Sequence, residues 1–102
     1  MAIYLPQLIY IQPGKEAIFD AFESVALPLM SKYRGELLLR VRPNPESVIQ
    51  AESEIPYEIH IVRFENEEDL KEFSEDTERK RVLHLKNQSV RDSLLIRGTA
   101  SG

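Results

Sequence analysis

The sequence carries two histidines, the residue type whose ordinary titration lies nearest neutral pH. His60 stands in the run Glu58-Ile59-His60-Ile61-Val62-Arg63-Phe64. Alternate residues of an extended strand share a face, so Glu58 and His60 point the same way as Val62 and Phe64. If that face looks into an apolar interior, an imidazole and a carboxylate enter it together. The imidazole can then act as a base or proton carrier, and Glu58 can hold a ligand. The plainer alternative is a core-edge histidine satisfied by one hydrogen bond. Tyr33 and Arg40 offer a hydroxyl and a cation that can hold developing negative charge in the same pocket. Their plainer reading is a helix-end hydroxyl in water and an edge-strand guanidinium in solvent. His84, in a helical stretch, is a further candidate ligand-binding residue. Paired with His60 it does not make a metal site, because two lone histidines have no fixed ligand spacing, and no metal is expected.

Other chemistries lack their residues. With no cysteine there is no thiol nucleophile, disulfide framework or thiolate metal site. The four glycines form no nucleophile elbow, phosphate loop or dinucleotide fingerprint. Lys and Arg number 13 against 17 Asp and Glu, and the net charge of -4 disfavours a nucleic acid partner. No apolar run approaches the ~18 residues of a membrane span and no basic-apolar leader opens the chain, so a cytoplasmic protein is expected. The 102 residues suffice for one domain, residues 1–102, hiding roughly 65% of its surface on folding.

The elements that must position these side chains follow from periodicity. Residues 6–12 are β-branched and aromatic and read as a first strand, which Pro13-Gly14 ends. Ile18, Phe22, Val25, Ala26, Leu29 and Tyr33 then recur at helical spacing, predicting a helix over 15–34 with a kink at Pro28 and a left-handed end at Gly35. Residues 36–42 alternate, with Leu37, Leu39 and Val41 on one face and Arg40 and Arg42 on the other. Residues 57–64 are apolar on both faces and must be central. Asn66 caps a helix to about residue 75, its first turn acidic; Thr77 is the expected cap of a second stretch reaching residue 90. Residues 93–98 form the last strand and 99–102 a frayed tail.

The order β-α-β-β-α-β is the split βαβ, ferredoxin-like plan, an α+β fold in which helices cover one face of a four-stranded antiparallel sheet. Its central strands are the first and third, the two that read apolar on both sides. The uncovered face would leave isoleucine and tyrosine in water, and a second copy packed sheet against sheet is the simplest cover, so a homodimer is expected. The same plan serves RNA recognition, but Ile59 and Ile61 stand where stacking aromatics would be needed.

Three segments resemble the dimeric α/β-barrel superfamily: Ile11-Gln12-Pro13-Gly14-Lys15, Leu27-Pro28-Leu29-Met30-Ser31-Lys32-Tyr33-Arg34-Gly35-Glu36-Leu37, and residues 56–64 with Asn66-Glu67-Glu68-Asp69-Leu70. Within it the chain is most similar to a bacterial domain-of-unknown-function family, with the antibiotic-biosynthesis monooxygenases and NIPSNAP proteins as cousins. The resemblance implies a two-fold dimer whose sheets close into a barrel, and a pocket between sheet and helices of each subunit. It also exposes departures. Arg34 replaces the first of two family glycines, the tryptophan of the monooxygenase cousins is missing, and the surroundings of His84 do not match the histidine of haem-degrading relatives.

Two functions stay open on this reading. One is a cofactor-independent oxygenase or isomerase acting on a small apolar molecule, with His60 as proton carrier and Tyr33 or Arg40 holding negative charge. The other is a non-catalytic small-molecule-binding or structural dimer. Neither calls for a bound cofactor.

Overall fold

The computed structural model describes residues 1–99; of the expected tail, residues 100–102 lie outside the described part. Strands β1 (Ile3–Ile11), β2 (Gly35–Val41), β3 (Glu58–Phe64) and β4 (Val90–Leu95) form one sheet in the order β2-β3-β1-β4. Each neighbouring pair is antiparallel, so β1 and β3 are central as their two-sided apolarity requires. Helix α1 (Glu16–Leu29) links β1 to β2, and α2 (Glu67–Ser74), α3 (Thr77–Arg81) and α4 (Leu83–Ser89) link β3 to β4. Among the described residues, no helix is long and apolar enough to cross a membrane.

The interior lies between the sheet and this single helical layer. Ile3, Leu5, Val62 and Phe64 of the central strands are buried with Met30, while Phe22 and Ala26 of α1 pack with Val82. With a thinnest dimension of 17 Å, the molecule is two layers deep, which leaves the far side of the sheet bare. Leu39 and Val41 of β2 and Leu94 of β4 are all more than a third exposed there.

Local chemistry sets the element ends, and several differ from expectation. Pro28 does not kink a continuous helix. α1 stops at Leu29 and its last turn tightens into a 3-10 turn, Met30–Tyr33. The buried stripe of α1 is Phe19, Phe22, Glu23 and Ala26, rotated by about one residue from the predicted one. Asp76, not Thr77, caps α3 by accepting from the Arg79 amide at 2.9 Å, and Asn66 caps α2 as expected. The last strand begins at Val90 and ends at Leu95, beyond which Ile96 donates to the Pro6 carbonyl at 2.9 Å and Gly98 bridges to Tyr4.

The left-handed residue before β2 is Arg34, with φ 58°, rather than Gly35. An arginine bears that conformation at some cost, and its guanidinium reaches Asp69 of α2 at 2.9 Å. Gly35 is needed for a different reason: it pairs with Phe64, and a Cβ there would stand 2.6 Å from Phe64 Cε1, a ring fixed in the core. Gly35→Ala is therefore expected to lower stability by about 1–3 kcal/mol in urea unfolding, through overpacking rather than backbone strain.

Candidate functional site

A β-bulge in β2 assembles the polar centre of the molecule. Leu37 pairs with Val62 and Leu39 with the adjacent Ile61, so Leu38 is the extra residue and side-chain parity reverses across it. Leu37 consequently shares the helix side with Arg40, which pairs with His60, whereas Leu39 and Val41 turn to the open face. Without the bulge Arg40 and Leu37 would point apart, as simple alternation predicts.

Glu58 and His60 enter the helix side as expected, the former with no exposure and the latter 2% exposed. Arg40 Nε reaches Glu58 Oε2 at 3.1 Å, and Arg42 Nε donates to Oε1 at 2.9 Å. The His60 Nε2 group bonds the same carboxylate. Burial alone would push this carboxyl up, but the hydrogen bonds from His60, Arg40 and Arg42 outweigh it and hold Glu58 at about 2. An ionised carboxylate only accepts, so the proton of a neutral His60 sits on Nε2. Arg42 also binds Asp20 of α1 at 2.6 Å and lies over the Tyr57 ring at 4.7 Å, tying the edge strand to the helix layer.

Sequence reasoning did not single out Glu23 or Arg42. Glu23, on α1, is 5% exposed and its Oε2 lies 4.0 Å from His60 Nε2. Burial pushes its pKa up to about 7; attraction to His60, Arg40 and Lys86 only partly opposes this, and Glu58 adds to it. Its signal was an acid flanked at helical spacing by Phe19 and Ala26, legible once the helix phase is right.

Glu23 and His60 stand on the wall of a cavity of about 240 Å³ between the sheet and the helices. Leu5, Phe19, Phe22, Val62, Phe64 and Phe73 supply apolar walls, and Arg79 and Lys86 add two cations. This volume is just below the ~300 Å³ at which drug-sized pockets begin, so it suits a smaller molecule.

Of the five residues singled out from the sequence, the structure brings Glu58, His60 and Arg40 together. Arg40 serves Glu58 and does not line the cavity. Tyr33 lies elsewhere. Its hydroxyl bonds Asp76 in a crevice between the 3-10 turn and α3, because the helix ends at Leu29 and the tighter turn re-aims the ring. That bond pushes Tyr33 up and holds Asp76 down. His84 is exposed on α4, away from the cavity lining, since the inward positions around it go to Val82 and Ser89.

Donor atoms of Glu23, Glu58 and His60 lie within 4.8 Å of one another, close enough to surround a small cation. The set suits one poorly. Both Glu58 oxygens already accept charge-assisted hydrogen bonds, and an entering metal would meet two guanidinium charges. What the arrangement can do is hold a half-ionised carboxyl and a fixed imidazole against an apolar space, the setting for proton transfer.

No protein-family model and no curated protein matches the chain in sequence. Solved structures do match in shape. A protein of unknown function from Rhodopseudomonas palustris superposes with a TM-score of 0.84 at 16% identity, over 99% of this chain and 83% of that one. A NIPSNAP family protein of unknown function from Agrobacterium tumefaciens gives 0.71 at 12% identity, over 95% and 86%. A dimeric protein of unknown function from Bacteroides fragilis, described as having a ferredoxin-like fold, gives 0.68 at 10% identity, over 95% and 94%. At these identities the likeness is one of fold, and this chain has the ferredoxin-like fold.

The two buried acids act on stability in opposite windows. Glu58, depressed to about 2 from an ordinary 4.5, stabilises the fold above pH 4.5 and loses that contribution as pH falls toward 2. Glu23, raised from 4.5 to about 7, favours the fold below pH 4.5 and loses that contribution as pH rises toward 7. Denaturant unfolding across pH 2–8 is expected to show both limbs. Glu58→Gln should cost about 3–5 kcal/mol at neutral pH and flatten the acid limb. Glu23→Gln should flatten the limb between pH 4.5 and 7 and raise stability at pH 8 by about 1–3 kcal/mol.

Proposed function

We propose that this protein is a homodimer whose subunits each take a small, largely apolar molecule between sheet and helices and move a proton on it. That is the chemistry of an isomerase, and the opening step of an oxygenase that needs no cofactor. The observation that carries this reading is the Glu23 carboxyl, buried on the cavity wall 4.0 Å from His60. Near neutral pH such a carboxyl is available in both forms, so it can take a proton from an activated C–H and return it at another carbon. His60, oriented by Glu58, keeps its Nε2–H 4.0 Å from Glu23 and steadies the carboxylate that forms when Glu23 gives up its proton.

The dimer is supported by the bare sheet face. Leu39 and Val41 on one edge and Leu94 on the other frame the partly exposed Ile59, Ile61 and Leu8, a wider apolar surface than a monomer usually leaves in water. The Bacteroides fragilis relative in fold is dimeric, which favours the same arrangement here.

Two measurements test the parts separately. In sedimentation equilibrium the wild type should run as a dimer, and Leu39→Glu with Leu94→Glu should give a folded monomer; a wild-type monomer at micromolar concentration would sink the dimer. For the chemistry, deuterium wash-in to small enolisable ketones such as phenylacetone should follow a pH limb centred near 7. It should fall by about 10²-fold or more in Glu23→Gln. Ligand binding without exchange in either protein would leave the molecule a non-catalytic binding dimer.

A further inference from the structure

Arg79 of α3 and Lys86 of α4 do not take part in the Glu58 network, yet both line the cavity. Among the described residues, neither has a carboxylate oxygen within 4 Å. The Arg79 guanidinium lies over two aromatic rings, 5.3 Å from the Phe73 centroid and 6.0 Å from that of Phe22. Among the described residues, its hydrogen bond is a long one, 3.5 Å to the Ser74 carbonyl. Burial pushes both groups down, and Lys86 is pushed further by its closeness to Arg79. Two like charges are thus gathered at one apolar space; Glu23, which balances both, is only half ionised at neutral pH, and Asp76 acts on Arg79 alone from beyond 4 Å. Such an arrangement is costly when empty of an anion, because each half-buried cation has given up part of its water without gaining a carboxylate partner within 4 Å.

We infer that the molecule taken into the cavity is a small carboxylic acid, its carboxylate bound by Arg79 and Lys86 and its apolar body lying against Phe19, Phe64 and Phe73. This deepens the proposed function and rests on its reading of the cavity as a binding site. A planar carboxylate matches the fork of the guanidinium, while Lys86 supplies a point charge from a second helix. A phosphate fits less well, since nearly two charges would have to be desolvated among phenyl rings. The geometry also gives the ligand a direction. Its charged end lies toward α3 and α4, and another part of it faces Glu23 and His60. Arg79 and Lys86 are accordingly binding residues that set specificity and take no part in moving the proton.

The test is titration of the full chain, followed by backbone amide NMR, with butyrate, hexanoate, benzoate and phenylacetate, each against its own amide at equal ionic strength. Acid and amide have nearly the same shape and differ in charge. At least one acid is expected to bind tenfold or more tighter than its amide, shifting amides of Leu5, Val62 and Phe64. In Arg79→Gln and in Lys86→Gln that preference should fall to about twofold or less, while the amide binds unchanged. Amides that enter the cavity as well as the acids do would overturn the carboxylate assignment and leave the binding cavity standing. Failure of every acid and every amide to shift cavity residues would overturn both. The wild-type comparison of acid with amide decides the matter even if either variant fails to fold.

Discussion

A carboxylate with no exposure to water dictates much of this structure. Glu58 cannot be ionised inside a protein unless its oxygens are met by donors, and no donor comes from its own strand except His60. The remaining partners come from the neighbouring edge strand, so β2 has to deliver two guanidiniums to the helix side. Bulging at Leu38 accomplishes this, and Arg42 then extends the connection through Asp20 to α1. Sheet register, the position of α1 and the orientation of His60 are therefore coupled through one side chain.

That coupling separates two roles among neighbouring acids. Glu58 is saturated with hydrogen bonds and stays ionised; it orients other groups and has no capacity left for a ligand. Glu23, a few ångströms away, is also buried but among the described residues lacks such donors, and so it keeps its proton up to about neutral pH. Burial is common to both, and the difference in hydrogen bonding sets their pKa values apart, as in enzymes that use one carboxyl as a fixed charge and another as an acid or base.

Much of this was legible in the sequence, and what was not has physical causes. Two-residue alternation put Glu58 and His60 on one face with Val62 and Phe64, because β3 is regular throughout, and the burial of that face against the helices turns all four inward. The apolar character of both faces put β1 and β3 at the centre of the sheet. By contrast, α1 is apolar around much of its circumference, with Ile18, Phe19, Val25, Leu27 and Leu29 all available, so its buried stripe could be misphased by one residue and Glu23 passed over. Arg42 escaped notice for a related reason: a bulge leaves no composition mark, and alternation alone cannot say which pair of residues it will realign. Tyr33 was placed at the pocket on the assumption of a helix continuous to residue 34, and the 3-10 turn after Leu29 redirects it to Asp76.

The extra residue in β2 also makes the strand sensitive to register in a way its composition would not suggest. A sheet edge resembles a reading frame of period two, and Leu38 is the insertion that shifts it. Taking Leu38 into the ladder opposite Ile61 would remove the bulge and still leave a strand of good β-formers, yet every side chain beyond it would change sides. Leucine and valine would go to the interior, two arginines to the outside, and Glu58 would be stranded with His60 alone. Within β2, therefore, which residue is left out of the pairing is as strictly constrained as the chemistry of the residues that are paired.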